Sequence, residues 1–362
     1  MSAQENSDIY YMIGCMSGTS LDGIDLAYVK FTKKEAWSFR ILASETVDYS
    51  QDWKKKLSKS VELDPARLHQ LDLEYTDFLG SVIADFIINE QIEILDAVAS
   101  HGHTVFHQPN KGITLQIGNL SHLTDRIGWP VICDFRTQDV VLGGQGAPLV
   151  PVGDLLLFKN YQACVNLGGF SNISVFQNQS VLAHDICAVN IVLNFLTHRL
   201  DLPYDEGGKI AASGKIISPL FEQFKKLEFY SKVPPKSLGI EWVQETIFRL
   251  LEEYTNEKTP DLLYTYTYHI AEEIAKCLPE AGLVLFTGGG AYNDFLIQAI
   301  QKKSSSKIEV PIPELVDFKE ALIFALLGLL KWRDSINCFS SVTGAEQDHS
   351  TGKIFRPKPQ IE

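Results

Sequence analysis

Residues 9–31 read IYYMIGCMSGTSLDGIDLAYVKF, an apolar run, a turn of small and polar residues, and a second apolar run. This order predicts a strand, a tight turn and a second strand, which together form a β-hairpin. About one domain length later, residues 163–176 read ACVNLGGFSNISVF and repeat the order of strand, glycine turn and strand. The recurrence predicts two structurally repeated lobes.

The rest of the chain mixes helix and strand signals. Asp64 and Pro65 have the residue types of an N-cap and first helical position, and apolar residues follow at helical spacing as far as Phe86. Further helices are predicted from a cap at Thr259 and Pro260 to Cys277, and from Phe318 to Leu330. Short buried strands are predicted at Asp96–Ser100, Pro130–Asp134 and Leu283–Phe286. This mixture predicts α/β architecture.

Segments that lack helix and strand patterns indicate approximate domain boundaries. Ser231–Pro235 and the tail after Trp332 are predicted to be loops or linkers. We expect an N-terminal lobe of residues 1–140, with residues 335–362 packing on it, and a second lobe of residues 141–334.

Composition excludes several classes of protein. The formal net charge of −13 over 362 residues opposes nucleic-acid binding, because such binding depends on basic residues that neutralise phosphates. The six cysteines lie far apart with no CxxC pair, which is typical of reduced thiols. The N-terminus lacks a basic segment followed by an apolar one, and no apolar run is long enough to span a bilayer. We therefore expect a cytoplasmic protein that binds neither nucleic acid nor membranes.

Three glycine-rich turns follow predicted strands, at Gly18–Gly23, Gly168–Asn172 and Gly288–Gly290. Glycine lets backbone N–H groups approach phosphate oxygens without side chains in the way. Each turn alone could be a hairpin that only needs positive φ angles. Neither a Walker A pattern nor a GxGxxG fingerprint occurs, so the sequence does not favour a P-loop or Rossmann protein.

Together these turns resemble the actin, hexokinase and Hsp70 superfamily. The resemblance implies two ribonuclease-H-like lobes with ATP in an interlobe cleft. It implies that Asp22 or Asp25 helps to hold hydrated Mg²⁺, an ion that keeps several waters and needs few protein ligands. The residues it assigns to the nucleotide are Gly18, Thr19, Ser20, Leu21, Asp22, Gly23, Asp25, Gly168, Gly169, Gly288 and Gly289.

Ten longer stretches of the sequence resemble one particular family within this superfamily. They are GCMSGTSLDGIDLAYVKF at 14–31, SHGHTVFHQP at 100–109, TLQIG at 114–118, DFRTQDVVLGGQGAPLVP at 134–151, NLGGFSNIS at 166–174, YDEGGKIAASGK at 204–215, KSLG at 236–239, LFTGGGAYN at 285–293, DFKEALIFALLG at 317–328 and SVTGA at 341–345. In this order they resemble the anhydro-N-acetylmuramic acid kinase family from end to end. The resemblance implies that ATP and water open the 1,6-anhydro ring of the sugar and phosphorylate its O6, and it implies a homodimer.

Motif matching to the family places the general base at Asp185. The family has a DTGPxN-type run where this chain has Asp185-Ile186-Cys187-Ala188-Val189-Asn190, so the aspartate and asparagine remain while glycine and proline do not. We expect this loss to change the accessible backbone angles and to place bulkier side chains beside the sugar site. Further departures are Asn119 after TLQIG, Asp154 in place of a histidine, and Asn194 in place of a carboxylate.

Other residues are candidates for sugar binding, each with a structural alternative. His101 and His103 lie in an H-x-H-x3-H run that ends at His107, which could hydrogen-bond the sugar, bind a metal, or be structural. Arg136 could pair with the lactyl carboxylate of a muramic acid or with Asp134 or Asp139. Glu320 could face the sugar or stabilise the first turn of its helix. Asn190 is also expected at the sugar.

The sequence leaves two further functions open. A homologue weakened at residues 186–189 could act as a nucleotide- or sugar-binding sensor, or the kinase could take a different anhydro-sugar. A thiol nucleophile at Cys187 is disfavoured, because neighbouring His184 and Cys187 on an extended segment would not meet.

Overall fold

The computed structural model describes residues 8–18, 21–177, 180–234 and 236–358, with the side chain of Ser180 left out. It divides into two units, Met1–Leu157 with Phe318–Glu362, and Phe158–Asp317. Within the described residues, no helix is long and apolar enough to cross a bilayer. All six cysteines are free thiols.

The strands belong to two sheets. In chain order they are β1 (Asp8–Ser17), β2 (Gly23–Lys33), β3 (Trp37–Asp48), β4 (Ala97–Gln108), β5 (Ile113–Ile117), β6 (Val131–Cys133), β7 (Ala163–Leu167), β8 (Phe170–Gln177), β9 (Ser180–Ala188), β10 (Leu283–Thr287), β11 (Lys307–Glu309) and β12 (Lys353–Phe355).

The helices surround these sheets. In chain order they are α1 (Gln51–Ser58), α2 (Pro65–Asn89), α3 (Leu123–Ile127), α4 (Thr137–Val141), α5 (Val150–Leu157), α6 (Asn190–Thr197), α7 (Lys209–Ala212), α8 (Ser218–Lys225), α9 (Glu228–Ser231), α10 (Ile240–Trp242), α11 (Arg249–Glu252), α12 (Thr259–Cys277), α13 (Asp294–Lys303), α14 (Pro313–Trp332) and α15 (Ser340–Thr343). A π-helix, Val243–Phe248, joins α10 to α11.

The two sheets repeat one pattern, as the two predicted hairpins require. In the first unit the order is β12-β6-β4-β1-β2-β3, with β5 also paired to β4. In the second unit it is β11-β10-β7-β8-β9. In the first sheet, β1, β2 and β3 are antiparallel neighbours, and β4 and β6 run parallel to β1. In the second sheet, β7, β8 and β9 are antiparallel neighbours, and β10 and β11 run parallel to β7. The two-lobe α/β prediction is confirmed, and the nucleotide cleft stays a prediction.

Local signals placed most elements correctly. Asp64 caps α2 by accepting hydrogen bonds from the N–H groups of Ala66 and Arg67 at 3.1 and 3.0 Å. The expected cap of α12 is wrong, because Thr259 is its first helical residue and Lys258 precedes it without a side-chain bond. The tail after Trp332 is not all loop, since it contains α15 and β12, and β12 pairs with β6. Of Ser231–Pro235, Ser231 ends α9 and Pro235 lies outside the described residues.

The units are divided after Leu157 and after Asp317, where we expected boundaries at 140 and 334. Most of α14 therefore belongs to the first unit, where it packs directly on β1 and β4. A Cβ on Gly14 of β1 would lie 1.8 Å from the carbonyl oxygen of Ala321, and one on Gly328 would lie 2.4 Å from Cβ of Ala99. Such close packing of helix on sheet depends on glycine at both places.

Each unit has its own core. In the first, α2 covers the sheet with buried residues such as Tyr75, Leu79 and Phe86. In the second, α12 packs Leu262, Tyr266 and Ile270 against the strands. The strands of each sheet, and the residues at their ends, are therefore supported by a packed apolar core.

Candidate active site

The proposed base, Asp185, lies on β9 of the second unit beside a β-bulge. The register shifts so that Asn172 faces Asp185 and Ser171 faces Cys187, which leaves Ile186 as the extra residue. Bulges re-aim nearby side chains and are common near active sites. The Asp185 carboxylate is half-buried, and no hydrogen bond to its Oδ1 is found among the described residues.

The KSLG loop at 236–239, for which the sequence predicts no role, holds this aspartate. The N–H of Leu238 donates to Asp185 Oδ2 at 2.9 Å, and the N–H of Asp185 donates to the carbonyl of Lys236 at 3.0 Å. Burial raises the pKa of Asp185, and the Leu238 hydrogen bond partly opposes that rise. The KSLG string at 236–239 was the available signal, but nothing in it indicates contact with a residue more than fifty positions earlier.

The second and third glycine turns meet at Asn190 in the second unit. The N–H groups of Val189 and Asn190 donate to the carbonyls of Gly169 and Gly168 at 2.8 and 3.2 Å. The Asn190 side chain donates to the Leu167 carbonyl at 3.4 Å. The structure therefore joins the start of α6 to the turn between β7 and β8.

Gly288 and Gly289 follow β10 and adjoin the same turn. Gly288 has φ +81°, and a Cβ on it would lie 3.0 Å from the Leu167 carbonyl, so this position requires glycine. A Cβ on Gly289 would lie 4.0 Å from Asn190 Nδ2. The N–H of Gly168 donates to Phe170 O at 3.1 Å within the hairpin, so this turn offers phosphates fewer donors than the sequence suggested.

The first glycine turn joins β1 to β2 in the first unit. Leu21 has φ +60° and donates its N–H to Gly18 O at 3.4 Å, while the carbonyl of Asp22 accepts from Tyr49 at 3.1 Å. Gly23 begins β2, where it pairs with Asp48 of β3. Thr19 and Ser20 lie outside the described residues.

The two expected magnesium ligands differ in setting. Asp22 is exposed, whereas Asp25 is half-buried and accepts a hydrogen bond from Thr46 Oγ1 at 2.6 Å. The pKa of Glu320 is raised by burial and, to a smaller extent, by the charge of Asp25. The assignment of Mg²⁺ to Asp22 and Asp25 stays a prediction.

His101 and Arg136 form a buried pair in the first unit. His101 Nδ1 donates to the carbonyl of Gly102 at 2.8 Å, so its Nε2 accepts from Arg136 Nε at 3.0 Å. Burial and the neighbouring guanidinium hold the pKa of His101 well below its usual value, so the ring is neutral. Arg136 also donates to Gly146 O at 2.7 Å, whereas Asp134 pairs with Lys353 at 2.7 Å. The expected alternative of an Arg136–Asp134 pair is wrong.

His103 belongs to a separate chain of hydroxyl groups. Its Nδ1 lies 3.0 Å from Ser17 Oγ, which lies 2.7 Å from Tyr49 Oη, and that phenol contacts Tyr75 Oη. Burial lowers the pKa of His103 to about 4. His107 instead contacts Thr114 Oγ1 at 3.2 Å. Among the described residues this histidine run does not form a metal cluster, so the metal interpretation is not supported.

Glu320 and its neighbour Lys319 lie on α14. The helix begins at Pro313, so Glu320 lies about two turns inside it and the expected role in the first turn is wrong. Lys319 Nζ lies 2.7 Å from Asp154 Oδ1, and both side chains are buried. Asp154 thus has a buried cationic partner.

Asn119, which we expected to depart from the family, links two segments of the first unit by hydrogen bonds. Its amide donates to the His101 carbonyl at 3.0 Å and accepts from Ser100 Oγ at 3.2 Å. An ionised aspartate at this position could not donate the first of these bonds.

Residues 186–188, where we expected a departure from the family, are core residues of the second unit. Ile186, Cys187 and Ala188 are all buried in the apolar core of the second unit, where Cys187 Sγ lies 3.2 Å from Ser171 Oγ. Burial raises the pKa of the Cys187 thiol, which keeps it protonated and unreactive. These side chains therefore lie within the packed core, and the expectation that they crowd the sugar stays a prediction.

Restoring the family's glycine at this position is expected to harm the protein rather than activate it. Cys187→Gly should lower the free energy of unfolding by about 1–3 kcal/mol, because a strand interior loses packing and gains backbone freedom. Chemical denaturation measures this loss, and Cys187→Ala, which keeps the strand preference, is the control and should lose less. Unchanged stability together with faster turnover of Cys187→Gly would contradict this placement.

Comparisons with known proteins identify the family of this chain. The family model for anhydro-N-acetylmuramic acid kinase matches residues 10–357. The anhydro-N-acetylmuramic acid kinase of Bacillus cereus (strain AH187) is 32% identical over 383 residues, covering 96% of this chain and 99% of the relative. That of Bacillus thuringiensis (strain Al Hakam) is 31% identical over 382 residues, with the same coverage.

A solved structure, component A of (R)-2-hydroxyglutaryl-CoA dehydratase from Acidaminococcus fermentans, is a distant likeness with TM-score 0.44 and 15% identity, covering 88% of this chain and 96% of that one. The family match extends over nearly the whole sequence, and the relatives are covered almost completely. This chain belongs to the anhydro-N-acetylmuramic acid kinase family.

Proposed function

We propose that this protein uses ATP and water to open the 1,6-anhydro ring of anhydro-N-acetylmuramic acid and to phosphorylate its O6. Family membership over residues 10–357 is the observation that carries the proposal. The product is N-acetylmuramic acid 6-phosphate, and ADP is released.

The bond changes balance as one coupled displacement. The oxygen of water bonds to the anomeric carbon C1 while the bond from C1 to O6 breaks. O6 then bonds to the γ-phosphorus, and the bridging oxygen leaves with ADP. One proton of water remains on the new C1 hydroxyl, and a general base must take the other.

Asp185 is the residue we assign as that base. Leu238 holds its Oδ2, which leaves Oδ1 to accept a proton from water. Burial raises the pKa of Asp185, and a more basic carboxylate is a stronger proton acceptor. Asn190 lies five residues further on, where its side chain helps to order the adjacent glycine turns.

The nucleotide and its ion are assigned to the glycine turns and the acidic residues. Gly18–Gly23 and Gly168–Gly169 would approach the phosphates, and Gly288 and Gly289 the nucleoside. Asp22 and Asp25 would hold hydrated Mg²⁺, which supplies positive charge to the phosphates.

His101, His103, Arg136 and Glu320 are assigned to the sugar. Arg136 would pair with the lactyl carboxylate, for which a planar guanidinium is well suited. His101 orients Arg136 through the 3.0 Å contact to its Nε, and Nη1 bonds to Gly146 O. We also propose a cytoplasmic homodimer, on the family resemblance alone, which light scattering after gel filtration would test.

Product analysis in isotopic water tests the ring-opening step. Incubation with Mg·ATP and anhydro-N-acetylmuramic acid in H₂¹⁸O should give a sugar phosphate with one ¹⁸O at C1, because water attacks that carbon. Mass spectrometry measures the label, and preformed unlabelled product kept in H₂¹⁸O controls for exchange at the anomeric position. Phosphorylated sugar that keeps its anhydro ring would overturn the coupled hydrolysis but leave the kinase assignment intact.

A further inference from the structure

Three side chains with metal-binding atoms meet in the first unit. Asp139 of α4, Cys338 and His349 each offer one atom, and these atoms lie within 4.8 Å of one another. All three side chains are buried. Among the described residues, no other group of His, Cys, Asp and Glu side chains is arranged in this way.

The hydrogen bonds of His349 indicate which nitrogen of its neutral ring carries no hydrogen. Its Nδ1 lies 3.0 Å from the carbonyl oxygen of Gln347, and a carbonyl only accepts, so Nδ1 carries the hydrogen. In the neutral ring Nε2 then presents a lone pair. This buried Nε2 has no hydrogen-bond partner among the described residues and lies 3.5 Å from Asp139 Oδ1. A cation between these two buried atoms would give Nε2 a partner and would neutralise the carboxylate.

The remaining contacts order the carboxylate. Asp139 Oδ2 accepts from the N–H of Gly146 at 2.6 Å, and Oδ1 accepts from Thr343 Oγ1, also at 2.6 Å. Cys338 Sγ lies 3.1 Å from the same Oδ1, so the thiol donates to it in the protein without metal. The oxygen, the sulfur and the imidazole nitrogen therefore converge on one point.

We propose that Asp139 Oδ1, Cys338 Sγ and His349 Nε2 bind a zinc ion. One thiolate, one imidazole and one carboxylate are zinc's preferred ligand types, and water would complete four-coordination. A ligating histidine commonly donates its other N–H to a carbonyl, as His349 does to Gln347. Binding to the neutral ring releases one proton, from the Cys338 thiol, and leaves the two anionic ligands balanced by the dication.

The ion would join the chain's C-terminal part to the loop that follows α4. The N–H of Gln145 donates to Thr343 O at 2.8 Å, and that of Glu346 donates to Leu142 O at 2.9 Å. Arg136 reaches the same loop through Gly146 O. Zinc here is structural and separate from the Mg²⁺ that would accompany ATP, so it supports the position of Arg136 without entering the chemistry.

Cobalt substitution tests the site directly in the full-length protein. After removal of metal by a chelator and its dialysis, Co²⁺ should bind with one equivalent and give a thiolate-to-cobalt charge-transfer absorption in the near ultraviolet. Zn²⁺ should displace it and raise the thermal unfolding temperature. Cys338→Ser and His349→Asn should each weaken binding at least about 100-fold, because even a lost outer partner can cost that much.

The control variants replace a cysteine and a histidine that lie outside the proposed zinc site. Cys277→Ser, at the half-buried cysteine, and His198→Asn, at an exposed histidine, should bind cobalt as the wild type does. Circular dichroism in chelator establishes that each variant is folded. The proposal is overturned if wild-type protein binds no Co²⁺ or Zn²⁺, or if binding persists in Cys338→Ser.

Discussion

Asp185→Asn should reduce the rate of sugar phosphorylation about 10²- to 10⁴-fold, the usual contribution of a general base. The amide keeps an oxygen that can accept from the N–H of Leu238, so the local structure is expected to remain. What it loses is the capacity to accept a proton from the attacking water. Removing a partly buried charge should also leave thermal stability unchanged or slightly higher.

Asp261→Asn is the matched control for this substitution. Asp261 is another half-buried aspartate of the second unit that accepts one backbone hydrogen bond, from Lys215 at 2.8 Å. Its variant should keep the wild-type rate. If Asp185→Asn retained more than about a tenth of wild-type turnover, well above the range for a lost base, Asp185 would not be the base.

The pH profile separates a base from a residue that only shapes the site. Burial raises the pKa of Asp185, and only the ionised carboxylate accepts a proton. Wild-type turnover should therefore fall as pH decreases through this raised pKa, above the range of an ordinary aspartate. The residual turnover of Asp185→Asn should lack this acidic limb. An identical limb in both proteins would assign it to another group.

Gly14→Ala should destabilise the first unit by about 3 kcal/mol or more. The added Cβ would lie 1.8 Å from Ala321 O and 2.9 Å from the nitrogen of Ala325, both backbone atoms of α14. Backbone inside a helix cannot move aside locally, so α14 must shift from the sheet. For a unit of this size the melting temperature should fall by about 6 °C or more, as measured by calorimetry.

Gly239→Ala provides the comparison. There the nearest atom to the added Cβ is Glu241 Oε2 at 2.6 Å, the end of a flexible side chain that can rotate away. Its effect on stability should lie within about 0.5 kcal/mol. Equal melting temperatures for Gly14→Ala and wild type would mean that α14 does not pack on β1 as described.

Local patterns along the chain were sufficient for the repeated hairpins, for α2 with its Asp64 cap, and for the motif strings that indicate the family. These features depend on alternation, helical spacing and turn residues within a few positions of one another. Packing of residues 335–362 on the first lobe was expected, but the strand and helix within this tail were missed, because their stabilising contacts lie far along the chain: β12 pairs with β6, and Cys338 contacts Asp139.

Only the tertiary structure decided how the site residues are held. The support of Asp185 by Leu238, the inward direction of Cys187 and the convergence of Asp139 with Cys338 and His349 each join residues that no local pattern connects. Packing of separate elements determines which distant groups become neighbours, and burial then sets their charge and hydrogen bonding. The glycine turns could therefore be recognised from the sequence, whereas their meeting at Asn190 could not.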